Sequence, residues 1–250
     1  MSTSRNWALF APDIQNRFAP DELRYYLAAS APESRDSNWS WKEFVRRNND
    51  ELVATWGNLA NRVLSLTYKE FKAIPEPLES KAADLELISA GQSAFETVGT
   101  HLDSVRLKAA LQELMALAQR GNLYITEQQP WKLLKTDRPR AQAVLYTGLQ
   151  LIEYLKTLLS PFLPFTSQAL HETLGWSGTL SPFPELASAI DPDGQPRKIL
   201  TGRYQTDCTW EPRRLPVGQA LREPTPLFAK YDDALAHAEI DRLGAGGIGG

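Results

Sequence analysis

The sequence predicts a mostly α-helical protein, with a helical bundle at its centre and an extended, proline-rich segment after it. Three observations carry this. None of the seventeen prolines falls between Glu33 and Ile74 or between Leu78 and Gln129, whereas eight fall between Ser181 and Pro226. Proline lacks an amide donor and clashes inside a helix, so long helices run in the empty windows and the crowded window is extended, turn-rich chain. Leu52, Trp56, Leu59, Val63 and Leu66 recur every three or four residues, which lines one face of a helix. Strict strand alternation over six or more residues is scarce before Ser181.

In chain order, Asp21 is placed to cap a short helix over 22–29, entered at Pro20 and stopped by Pro32. The Leu52–Leu66 stripe marks the first long helix. Val98, Leu102, Val105 and Ala109 continue the same spacing in another, which Gly121 can close. Two further helices are expected over 138–159, ended by Pro161, and over 164–174, stopped by Gly175. A last short helix over 232–243 precedes a glycine-rich tail, 244–250, expected to be disordered. No internal repeat is visible.

With 42% hydrophobic and 23% charged residues the composition is that of a globular protein, not of a disordered or fibrous one. No run approaches 18 apolar residues, so no bilayer span is expected, and the first residues lack the apolar core of a signal peptide. A cytoplasmic location is the default. Cys208 is the single cysteine, and His101, His171 and His237 lie far apart, which gives little support to a metal site or a Cys/His nucleophile. The net charge of -3 has the wrong sign for a nonspecific nucleic-acid coat. Its distribution is uneven. Residues 42–72 carry six basic against four acidic side chains and 130–140 four against one, while 76–103 carry one against six. Two basic segments flanking an acidic one leave room for a local anionic partner.

Two candidate binding features sit beside the apolar stripe. At about 100° per residue, Asn58 and Arg62 fall one turn apart on the flank next to Leu59. An amide and a guanidinium there supply acceptor and donor groups suited to a base edge. The spacing equally allows a hydrogen bond along the helix surface. In Pro130-Trp131, with Lys132 and Lys135 close behind, the proline fixes a turn that can hold an indole still, and an unpaired base stacks on an exposed aromatic. On spacing alone Trp131 could instead be a core residue, as Trp56 is by its periodicity.

Several stretches, in order, resemble the methionyl-tRNA synthetase family. Met1-Ser2-Thr3-Ser4-Arg5, the run from Phe18 to Leu27 and that from Ala31 to Asp36 are similar to the segment after that family's catalytic domain. The stretch from Phe44 through Asn58 to Arg62 resembles the first long helix of its anticodon-binding domain, Pro130-Trp131 with Lys135 its anticodon-loop motif, and Leu227-Phe228-Ala229-Lys230 the segment that closes its core region. The resemblance implies a class I synthetase-type helical anticodon-binding domain over 42–180. Before it, 1–41 would hold a signature-loop remnant and stem-contact linker, and 181–243 would come after it as an extended C-terminal segment. It implies that Asn58, Arg62 and Trp131 contact the CAU anticodon of tRNA(Met), with Trp131 under the wobble base and Pro130 fixing it. The chain departs from the family's K-M-S-K-S signature loop: its first lysine would precede Met1, and Thr3 takes the place of the second. With Met1, Ser2, Thr3 and Ser4 only a remnant, and with no glycine-rich phosphate cradle, the chain is expected to bind tRNA without activating methionine. ATP and methionine would be handled by a catalytic domain that this chain lacks, and no cofactor is expected within it. The other readings are the anticodon domain of a cysteine, leucine, isoleucine or valine synthetase, or a helical protein-binding adaptor that uses the acidic 76–103 surface.

Overall fold

The structure, a computed structural model, describes residues 14, 16–33, 38–78, 80–181, 183–205 and 209–245. Met1 to Ser4, the run Ser34-Arg35-Asp36, Cys208 and the tail beyond Ala245 therefore lie outside the described residues. The helices are α1 (Pro20–Ala29), α2 (Trp41–Arg47), a π-helix (Asn48–Gly57), α3 (Asn58–Phe71), α4 (Ala82–Asp103), α5 (Leu107–Gln128), α6 (Pro130–Thr136), α7 (Arg138–Leu159), α8 (Pro164–Thr173) and α9 (Ala234–Ala245). Between α8 and α9, strands β1 (Phe183–Ile190) and β2 (Pro196–Gln205) pair as an antiparallel hairpin.

Helix α7 is the axis of the bundle. From Ala143 to Leu159 each of its residues is buried, the polar Gln150, Glu153 and Lys156 included, and α3, α4, α5 and α8 pack around it. The expected stripe is buried at Leu52, Trp56, Leu59 and Val63 and half-buried at Leu66; its α3 part packs on α7 and its π-helix part on α5. Small residues let the helices approach. A Cβ added at Gly121 would lie 2.6 Å from a Leu151 methyl and 2.8 Å from a Leu59 methyl. Gly121 is thus interior to α5 and does not close the preceding helix. That helix, α4, ends at Asp103, where Val105 takes a positive φ of 55° and is exposed, so the single stripe expected from Val98 to Ala109 is two helices joined by a tight turn.

A second, smaller core joins the two ends of the chain. Phe18, Leu23, Tyr26, Trp41, Phe44 and Val45 bury against Ala236 of α9, with Tyr231 half-buried over them. The Tyr231 hydroxyl donates to the Glu22 carboxylate, and burial pushes the Tyr231 hydroxyl up. Asp21 does not cap α1. Its carboxylate accepts from the backbone N–H groups of Phe165 (3.3 Å) and Thr166 (2.7 Å), so it caps α8, which α1 packs against, while Glu22 accepts from Ala19 N–H at 3.3 Å.

The proline-rich segment is not wholly irregular. Its hairpin turns at Asp191, whose side chain accepts from Asp193 N (3.0 Å) and Gln195 N (2.8 Å), with Gly194 at φ +78°. After it the chain returns over the bundle, where Trp210 Nε1 donates to Phe95 O (3.0 Å) and Leu215 N to Gln150 Oε1 (2.9 Å). The final helix begins two residues later than expected and runs to Ala245, into the expected tail.

Candidate nucleic-acid interface

Asn58 opens α3 immediately after the π-helix, and Arg62 stands one turn later. Leu59 and Val63, both fully buried, anchor the adjacent flank of that turn, which leaves Asn58 exposed and Arg62 half-buried. The two do not bond each other. Asn58 Nδ2 donates to Asn122 Oδ1 at 2.9 Å, and both terminal nitrogens of Arg62 donate to Thr126 Oγ1 at 3.2 Å. Asn122 and Thr126 are themselves one turn apart on α5, so two matched i, i+4 pairs meet across the helix–helix groove. Thr126 Oγ1 in turn donates to Asn122 O at 2.8 Å.

The third expected residue arrives from a turn. Gln129 takes the left-handed conformation (φ 48°, ψ 57°) and ends α5, and Pro130 then starts α6 at its first position, where its missing N–H costs nothing. Pro130 is buried, and Trp131, the next residue, is 40% exposed. Its ring lies 5.5 Å from Arg62 Cζ, within cation–π range. The turn is braced from below. Arg140 Nη2 donates to Gln128 Oε1 (2.7 Å) and to Asp84 Oδ1 (2.8 Å), and Tyr124 OH donates to Asp84 Oδ1 at 2.6 Å. Burial alone would raise the Asp84 carboxyl, but the hydrogen bonds from Arg140 and Tyr124 outweigh it and hold the group below the usual carboxylate range. Asp84 is therefore part of the core, not of an acidic surface.

These elements enclose a recess of about 400 Å³, walled by Arg62, Leu66, Lys69, Ile125, Pro130 and Trp131. A second recess of about 490 Å³ lies on the other side of Asn58 and Asn61, where Phe228 closes it against Gly57. The same segment is tied to the π-helix by Asn48 Nδ2, which donates to Ala229 O at 2.9 Å. Cations gather beside the first recess. Lys69 lines it, Lys132 and Lys135 are exposed on α6, and Arg138 stacks over the Phe71 ring at 4.7 Å while pairing with Glu70 at 3.7 Å.

The structure thus brings Arg62, Pro130 and Trp131 into one wall, with the Arg62 guanidinium over the indole, while Asn58 stands one turn away on α3 and lines the second recess. The signature-loop remnant, Met1 to Ser4, lies outside the described residues. Asn122 and Thr126 had no pattern of their own in the sequence, and only the docking of α5 on α3 identifies them. Among the described residues no group of three or more His, Cys, Asp or Glu side chains is placed to hold a metal ion, and no helix is long and apolar enough to cross a membrane.

Residues 74–193 match the family model described as the anticodon binding domain of methionyl tRNA ligase, and residues 1–64 match that of class I tRNA synthetases (M). The methionine–tRNA ligase of Roseiflexus castenholzii is 55% identical over 246 residues, covering 98% of this chain and 42% of that protein. That of Chloroflexus aurantiacus is 45% identical over 243 residues, covering 97% and 40%. The free-state methionyl-tRNA synthetase of Mycobacterium tuberculosis superposes with a TM-score of 0.74 at 26% identity, over 90% of this chain and 41% of that one. The chain spans about two-fifths of the length of the curated relatives it matches.

Proposed function

The chain belongs to the methionyl-tRNA ligase family, and we propose that its helical bundle binds the anticodon loop of tRNA(Met), with the CAU triplet in the recess beside Trp131. The observation that carries this reading is the placement of a half-exposed indole 5.5 Å from Arg62, on the same ridge as Asn58 and over a recess of about 400 Å³. A base stacked on the indole would present its edge to the Arg62 guanidinium and the Asn58 amide, groups that donate and accept. Pro130 and the Arg140–Gln128 contact hold the ring in place, so little freedom is lost when a base arrives. Lys69, Lys132, Lys135 and Arg138 would attract the loop phosphates, which carry affinity without reading sequence.

In the same reading, methionine activation with ATP and transfer to tRNA belong to the full-length enzyme and its catalytic domain, and a protein of these 250 residues supplies recognition only. It should show no methionine-dependent ATP–pyrophosphate exchange above a heat-killed control. The direct test is a titration at matched salt of a stem-loop carrying CAU against one carrying an unrelated triplet. Preferential binding of CAU supports the assignment. Equal binding removes it and leaves at most backbone binding.

A further inference from the structure

We propose that Asn122, on the helix facing Asn58, is a positioning residue that sets which way the Asn58 carboxamide points, and so which base edge is accepted one turn along α3 from Arg62, beside the recess that Arg62 and Trp131 line. The proposal rests on the reading of this recess as an anticodon site. It turns on which groups donate and which accept. Asn122 Nδ2 lies 2.8 Å from Thr55 O and 3.3 Å from Ala118 O, and carbonyls only accept. The nitrogen must therefore be on that side, and both of its hydrogens are used there. Thr55 O is the fixed point, since it belongs to the last turn of the π-helix that feeds into α3. Asn122 Oδ1 consequently faces α3 as an acceptor, 2.9 Å from the Asn58 side chain, which can answer only with its N–H₂. The Asn58 Oδ1 is left turned away from Asn122, on an exposed side chain at the rim of the groove.

An outward carbonyl oxygen accepts a hydrogen bond from an amino group and opposes another carbonyl. Cytosine carries an amino group where uracil carries a carbonyl oxygen. The arrangement of Thr55, Asn122 and Asn58 therefore favours cytosine over uracil at the first base of the triplet, the one expected on Trp131. Without Asn122 the Asn58 amide is free to turn over and offer N–H to uracil.

The test compares the chain with its Asn122→Ala and Asn122→Asp variants, each titrated with CAU and UAU stem-loops after thermal unfolding has been recorded. Asn122→Ala is expected to lower the CAU-to-UAU affinity ratio by roughly three- to tenfold, the worth of one hydrogen bond. Asn122→Asp loses the donors to Thr55 and Ala118 but keeps an acceptor toward Asn58, so it should unfold at a lower temperature and still keep the ratio. A merely structural role predicts the reverse order of damage. An unchanged ratio in Asn122→Ala, or a ratio lost equally in Asn122→Asp, overturns the proposal, and if Asn122→Ala does not fold, the Asn122→Asp ratio decides alone. A wild-type chain that separates CAU from an unrelated triplet but not from UAU overturns the positioning role only. One that separates neither overturns the anticodon reading as well.

Discussion

Trp131 belongs neither to a buried cluster nor to the half-buried side chains packed on one, so removing its ring takes away a stacking surface without opening a cavity. Trp131→Ala should weaken CAU stem-loop binding by about 1–3 kcal/mol, and the loss should recur when the wobble base is changed, because stacking accepts any base. Arg62→Ala should instead narrow the gap between CAU and its variants, since edge contacts carry base identity. If Trp131→Ala melts the protein while Arg62→Ala leaves discrimination intact, both residues are structural. His171 supplies a separate test, of stability. Buried beside Lys156 Nζ (3.0 Å from Nδ1), it must accept there and donate from Nε2 to Ser177 O at 3.1 Å, which is the neutral ring. Burial, and then the Lys156 charge, lower its proton affinity in the fold. The unfolded chain binds that proton more readily, so this part of the stability is present above about pH 6.5 and is lost as pH falls. Asp21 and Glu22, raised by burial, act oppositely at lower pH. The difference between wild type and His171→Gln should therefore shrink between pH 7.5 and pH 5 in denaturant melts, and a constant difference would contradict the assignment. At this scale the sequence exposed Asn58 and Arg62 through helical angle alone. Their partners, Asn122 and Thr126, are fixed only by how two helices dock, which no local spacing encodes.

Among the elements, α7 and α8 were legible because Pro161 and Pro164 punctuate the chain between them and Gly175 stops the second. The α4–α5 break was not, because a tight turn with Val105 at positive φ preserves the apolar spacing on either side. The π-helix was also invisible, since Leu52 and Trp56 bury in either register. Asp21 looked like a cap for its own helix and caps α8 instead, a choice made by tertiary packing. Gly121 looked like a stop signal and is a contact point. Gly121→Ala would push a methyl into Leu59 and Leu151, at a cost of about 1–3 kcal/mol. A lowered thermal midpoint with the far-ultraviolet helix signal retained is the expected result, and an unchanged midpoint would show that α3, α5 and α7 separate easily. The hairpin escaped notice because three of the prolines that argued against helix, Pro184, Pro192 and Pro196, lie in its strands and turn.

Over the whole molecule, a net charge of -3 hides a basic rim around one recess and an acidic helix elsewhere. Affinity for the stem-loop should therefore fall steeply between about 50 and 200 mM salt, with a slope of roughly 0.7 per phosphate neutralised. Lys135→Ala should make that slope shallower and leave the preference for CAU untouched; a flat salt response would instead indicate a dry, protein-like interface. Overall organisation was readable from proline placement and periodicity, whereas the second core, which ties the residues around Phe18 to the last helix, depends on the chain returning across the molecule. The central claim is that the first anticodon base stacks on Trp131. It is tested most directly with a CAU stem-loop carrying a stacking-sensitive fluorescent cytosine analogue at that position, measured at saturation with wild type and with Trp131→Ala. Quenching on binding to wild type that is absent from the saturated Trp131→Ala complex is the predicted result. No quenching with wild type, or equal quenching with both, would contradict it.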